Sequence, residues 1–140
     1  MTAEELFNAY LNESQEDRLR RVSGAAQVVF GFLKQTELSE EEQFGFFIHV
    51  IGMFVAADGQ LTRGELELFN ALFDASYSPQ QVAELFGNCA RPEVVQAMDE
   101  LIDSMPEEAK LATCSVGLAF AAADGQLTEH EVNLFAKILQ

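Results

Sequence analysis

The chain has 140 residues, 49% of them hydrophobic, with twelve Phe, no Trp and only three Pro. That suffices for one domain whose core needs neither disulfide nor metal, and it is too apolar for disorder. Its 23 acidic against 8 basic residues leave a net charge of −15. This excludes a phosphate-binding surface for nucleic acid or anionic lipid, because such surfaces cluster Lys and Arg.

Capping signals and apolar spacing predict eight helices, over 2–11, 15–35, 39–57, 62–75, 78–88, 92–104, 106–123 and 128–139. The predicted fold class is all-α, a compact bundle, in one domain over 1–140 with residues 1–36 outside an internal repeat. The opening MTAEELFNAY lacks the positive n-region and apolar h-region of a signal peptide. Leu6, Phe7, Tyr10 and Leu11 form a short apolar stripe. Packing on the bundle is its simplest use, and capture of another subunit or a partner protein is the alternative. In the second helix Arg18, Arg20 and Arg21 make the only basic cluster. It is too small for a nucleic-acid footprint and reads as a solvated face, or else as a docking spot for an acidic partner.

The third and seventh helices carry the runs FGFFIHVIGMFVAA and LATCSVGLAFAAA. A membrane span needs about 20 apolar residues, so these are expected as buried core helices, and no membrane insertion is expected. Ser39 with Glu42, Thr62 with Glu65, Ser78 with Gln81 and Thr128 with Glu131 each match the capping box. Pro79, Pro92 and Pro106 suit first helical turns. Gly45, Gly52 and Gly117 are expected to let the two apolar helices approach closely. His49 reads as a satisfied core histidine and His130 as a solvated helix-face residue. Cys89 and Cys114 read as buried free thiols of a reducing compartment, with a single disulfide as the alternative. The expected location is cytoplasmic.

The chain also repeats itself. Going from residue 54 to residue 120, an offset of 66, superposes an apolar helix, the block AADGQLT and an amphipathic helix on a second copy. Phe54/Phe120, Glu65/Glu131, Leu68/Leu134 and Phe69/Phe135 are identical pairs. The repeat units are 39–75 and 105–140, and two copies imply a pseudo-twofold arrangement with the apolar helices at its centre.

Most of the cassette reads as a chain-reversal device. Gly59 and Gly125 suit a left-handed helix end, and Leu61 and Leu127 suit a hydrophobic staple. Thr62 and Thr128 cap, and Glu65 and Glu131 close the box. Asp58 and Asp124 are not fully required by this device, and the doubled Gln60/Gln126 has no role in it. The same residues spell half of an EF-hand calcium loop, with Gly at the sixth position and Glu at the twelfth. The first and third positions hold Phe54 and Ala56, or Phe120 and Ala122, which cannot coordinate. One turn alone falls short of the roughly 6–8 oxygens that Ca²⁺ takes. If the two turns converge, Asp58, Glu65, Asp124 and Glu131 supply four hard oxygen ligands suited to Ca²⁺, Mg²⁺ or Mn²⁺. No nucleophile–base pair, zinc-ligand spacing or phosphate-cradling loop can be read, so catalysis is not expected.

An apolar helix running into Ala-Asp-Gly, an aliphatic residue, Thr and a Glu three residues later resembles the tellurite-resistance TerB family. The same module occurs in a DnaJ-type co-chaperone. Both AADGQLTRGELELF and AAADGQLTEHEVNLF fit, and the resemblance covers roughly 40–140. It implies a compact all-α domain. It also implies a divalent cation at Asp58, Glu65, Asp124 and Glu131, and a protein partner in a stress-response assembly. A purely structural, metal-free interaction domain is the other reading.

Overall fold

A computed structural model describes residues 2–55, 62–89, 91–125 and 127–139, with every side chain among them save those of Cys89 and Asp124. The helices are α1 (Ala3–Leu11), α2 (Gln15–Leu33), α3 (Glu40–Phe54), α4 (Arg63–Phe73), α5 (Pro79–Cys89), α6 (Pro92–Asp103), α7 (Glu107–Asp124) and α8 (Glu129–Leu139). They are separated by the polar caps that the sequence writes between them. Among the described residues there is no strand.

All four capping boxes form. The N–H of Ser39, Thr62, Ser78 and Thr128 donates to the carboxylate or amide oxygen of Glu42, Glu65, Gln81 and Glu131 at 3.0, 2.8, 2.8 and 2.8 Å. Each cap hydroxyl accepts the third residue's N–H in return. Two otherwise orphaned backbone donors are satisfied at each start, which fixes the helix register against the core. Pro79 and Pro92 open their helices as expected, whereas Pro106 stands one residue before α7, at its N-cap.

The axis of the bundle is α7, with α1, α2, α3, α4 and α8 packed around it. Leu118, Ala119 and Phe120 are wholly buried there, as are Phe46, Ile51 and Phe69 around them. The expected central pair of α3 and α7 is present, but α2 covers α7 more extensively than α3 does. An aromatic chain of Phe30, Phe47, Phe73, Phe69 and Phe120 crosses from α2 through α3 and α4 to α7 with centroid spacings of 4.5–6.4 Å. Tilted and edge-on rings of this kind add to the stabilisation from area burial.

Of the glycines expected to permit close packing, Gly45 faces open space and Gly52 makes only ordinary contact with the Phe86 ring. Gly117 is required, and by a ring rather than a backbone. A Cβ there would lie 2.6 Å from Phe54 Cε2 and nearer still to Cδ2 and Cγ.

The N-terminal helices belong to this core. Leu6, Phe7 and Tyr10 are buried, while Leu11 is exposed. The Tyr10 hydroxyl shares a buried 2.5 Å hydrogen bond with Ser115 Oγ of α7. The basic cluster fastens this corner. Arg18 Nε donates to the Tyr10 carbonyl at 3.1 Å, and Arg21 pairs with Glu13 and stacks over the Tyr10 ring. Arg20 and Arg21 are both exposed, as the expected solvated face requires, and Arg20 pairs with Glu16 and Asp17. Two of the three arginines therefore hold the α1–α2 corner together.

Cys114 is a fully buried free thiol, as expected. The Cys89 side chain lies outside the described residues. Burial pushes the Cys114 thiol up from 9.0 to about 12. Burial also raises Tyr10 above its ordinary 10.0, outweighing the Ser115 hydrogen bond that lowers it. Both groups are held neutral by the fold; the contribution of Cys114 is complete below pH 9.0 and is lost as pH climbs toward about 12, and that of Tyr10 is lost only above its ordinary 10.0. Denaturant midpoints are therefore expected to fall progressively above about pH 9, and less steeply in Cys114→Ala. Identical slopes in the two proteins would contradict the buried neutral thiol.

Candidate cation site at the DG turns

The two cassettes end and begin helices that meet each other. Thr62 and Glu65 open α4, and Thr128 and Glu131 open α8. A Cβ on Gly64, in the first turn of α4, would lie 2.7 Å from the Ala123 carbonyl oxygen in the last turn of α7. The hydrogen that takes its place points at that oxygen, as in a Cα–H···O contact. In the other direction, His130 Nε2 in the first turn of α8 donates to the Met53 carbonyl in the last turn of α3, at 3.1 Å. Each unit's second helix thus starts against the end of the other unit's first helix. The positive end of one macrodipole lies beside the negative end of another, which favours the approach.

The contacts are reciprocal in place but not in chemistry. In the second copy α7 runs through Asp124 and stops at Gly125, which is left-handed with φ 83°. There the Gly125 N–H closes the helix onto the Ala121 and Ala122 carbonyls. In the first copy α3 ends at Phe54, and Val55 is extended, earlier than the predicted 57. Met53 is among the last carbonyls of that helix, which lack a donor of their own, and the His130 imidazole supplies one. His130 is exposed, as expected of a helix-face residue, and its ring also serves as a C-terminal cap for α3. Gly64 is its counterpart in the first copy. The sequence comparison exposes that pairing but cannot supply a reason for it. The reason is the bare backbone needed where α7 continues.

Glu65 is 3% exposed and Glu131 5%. Glu65 Oε1 accepts the Thr62 N–H, and Glu131 Oε1 accepts both the N–H and the hydroxyl of Thr128 at 2.8 Å. A carboxylate has about four acceptor positions on two oxygens, more than the capping bonds of Glu131 use. Asp58, Gly59, Gln60, Leu61 and Gln126, with the Asp124 side chain, lie outside the described residues. Among the described residues no group of three or more potential ligands is assembled. His49 is the satisfied core histidine expected; the partner that the sequence could not name is Asp99 of α6, whose Oδ1 accepts from Nε2 at 3.3 Å.

The family description that fits this helix–turn–helix pair is tellurite resistance protein TerB, matched over residues 47–140. The chain belongs to the TerB family. Compared with curated proteins and with solved structures, it matches none. The TerB match takes in most of α3 and everything after it, both cassettes included. It leaves out α1 and α2, which nonetheless cover much of α7. No described helix of this TerB chain is long and apolar enough to cross a membrane.

Proposed function

We propose that this TerB chain is a non-catalytic binding module. It holds a divalent cation, Ca²⁺, Mg²⁺ or Mn²⁺, at its acidic DG turns and docks protein partners in a cytoplasmic stress response. What supports the cation is one observation: the reciprocal approach of the cassettes, with Gly64 against Ala123 and His130 against Met53. The start of α4 meets the end of α7, and the start of α8 meets the end of α3, so Glu65 and Glu131 share one end of the bundle. Asp58 and Asp124 precede them in the same two cassettes. All four are oxygen donors, the set that suits hard cations. When bound, the ion neutralises carboxylates that a chain of net charge −15 otherwise leaves in mutual repulsion.

Calorimetric titration is expected to show uptake of at least one of these ions, with a rise in melting temperature. The linked stabilisation is about 2.7 kcal/mol at roughly a hundredfold excess over Kd. Asp58→Asn combined with Asp124→Asn is expected to remove both signals. No heat and no thermal shift with any of the three ions would leave the alternative, a metal-free structural interaction domain. That alternative draws on the completed capping boxes of Glu65 and Glu131.

A further inference from the structure

Next to the His130–Met53 contact, α6 and α8 flank a cleft of about 260 Å³. Its floor is Met53 of α3, Ile102 of α6, and Leu134 and Ile138 of α8. Asp99 and Asp103 stand on one lip and Lys137 on the other. We propose that this cleft receives an amphipathic, basic helix of a partner protein, with an apolar side chain in the cleft and an Arg or Lys on Asp103.

Three observations carry this. First, α6 is amphipathic and thinly covered: Ile102 is its one buried residue among those described, while Val94, Val95, Met98 and Leu101 are partly buried, Met98 and Leu101 against the core. Its principal neighbour is α3, and Asp99, Ile102 and Asp103 are the residues that α6 presents to the cleft opposite α8. Second, the charge is one-sided. From Pro92 to Asp103 the helix carries Glu93, Asp99, Glu100 and Asp103 and no base. Asp103 occupies its last turn, where the macrodipole is already negative and a cation is favoured. Third, among the described residues Asp103 and Lys137 form no ion pair, with each other or otherwise.

The cleft is at the small end of ligand pockets, which run to roughly 300–1,000 Å³, and it has room for one large side chain as an anchor. An amphipathic helix laid along a groove uses such an anchor, and the stem of a neighbouring Lys or Arg covers apolar surface while its head reaches the acidic lip. Lys137 then pairs with an acidic residue on the far side of the partner helix and sets its direction.

This deepens the docking half of the proposed function and rests on it, while owing nothing to the cation. The test is therefore run in EDTA. A synthetic peptide with leucine and arginine at helical spacing, and its leucine–glutamate counterpart, are titrated into isotope-labelled protein and followed by amide NMR shifts. The arginine peptide is expected to saturate, shifting residues around Ile102, Asp103, Leu134 and Lys137, and the glutamate peptide to leave them unmoved. Asp103→Lys is expected to weaken binding at least tenfold. Glu37→Lys, an equal charge change at an exposed residue far along the chain, is expected to change it less than twofold. Both substitutions are at exposed positions, and matching circular dichroism melts establish that both variants fold. Equal weakening by the two variants, shifts spread over the whole acidic surface, or no saturable binding would each overturn the proposal.

Discussion

Gly117→Ala is expected to destabilise the protein by about 2–3 kcal/mol, although alanine at an ordinary helical position would gain roughly 1 kcal/mol over glycine. Gly117 lies inside α7, and the added methyl would occupy the volume of the Phe54 ring. That ring is 2% exposed and belongs to the last residue of α3, so it has no open space to move into. Removing it instead, as Phe54→Ala, is expected to cost about 3–5 kcal/mol through lost burial and the cavity left behind. The two substitutions should not add. With the ring gone, the methyl added at position 117 enters the vacated space and helix propensity acts in its favour, so the double variant should be at least about 1 kcal/mol more stable than the sum predicts. Urea denaturation of the wild type, both single variants and the double variant completes the cycle. Additive losses would mean that Phe54 does not rest on Gly117.

The same contact marks what the sequence could and could not disclose. Helix starts are local chemistry: a hydroxyl, two intervening residues and a Glu or Gln suffice, and the boxes at Ser39, Thr62, Ser78 and Thr128 all close as written. The apolar runs named the core helices for the same reason, since burial of a whole helix is visible in its composition. Contacts between distant residues were another matter. Tyr10 with Ser115 and His49 with Asp99 are separated by 105 and 50 positions, and nothing local on either side of the pairing announces the other. Glycine was misread for a related reason. Gly45, Gly52 and Gly117 looked equivalent inside apolar helices, but only a neighbouring ring makes Gly117 necessary. The two copies of AADGQLT are identical, yet α3 stops at Phe54 and α7 continues to Asp124. Identical letters meet different neighbours, and His130 over the Met53 carbonyl is the visible difference. The candidate ligands divide along the same line. Glu65 and Glu131 were readable as caps, while Asp58 and the Asp124 side chain, on which the cation reading turns, lie outside the described residues.

Gly64→Ala is the substitution that joins fold to proposed function. Its Cβ would stand 2.7 Å from a backbone oxygen, and the Ala123 carbonyl belongs to the last turn of a buried helix, so it cannot swing aside like a flexible side chain. The expected loss is about 1–3 kcal/mol, against the roughly 1 kcal/mol that alanine would otherwise add in a helix. His130→Ala probes the reciprocal contact. It removes a hydrogen bond to a helix-end carbonyl and is expected to cost about 0.5–1.5 kcal/mol, with no steric change. The pair separates position from charge. Relief of the Gly64 clash pushes the start of α4 away from α7 and carries Glu65 away from the second cassette, so any cation uptake should weaken along with stability. His130→Ala leaves both glutamates in their capping boxes, so uptake should persist while the melting temperature falls. Thermal melts with and without Ca²⁺, Mg²⁺ or Mn²⁺ read both effects at once. A Gly64→Ala protein that melts with the wild type would refute the close approach of α4 and α7, and with it the geometry on which a shared cation depends.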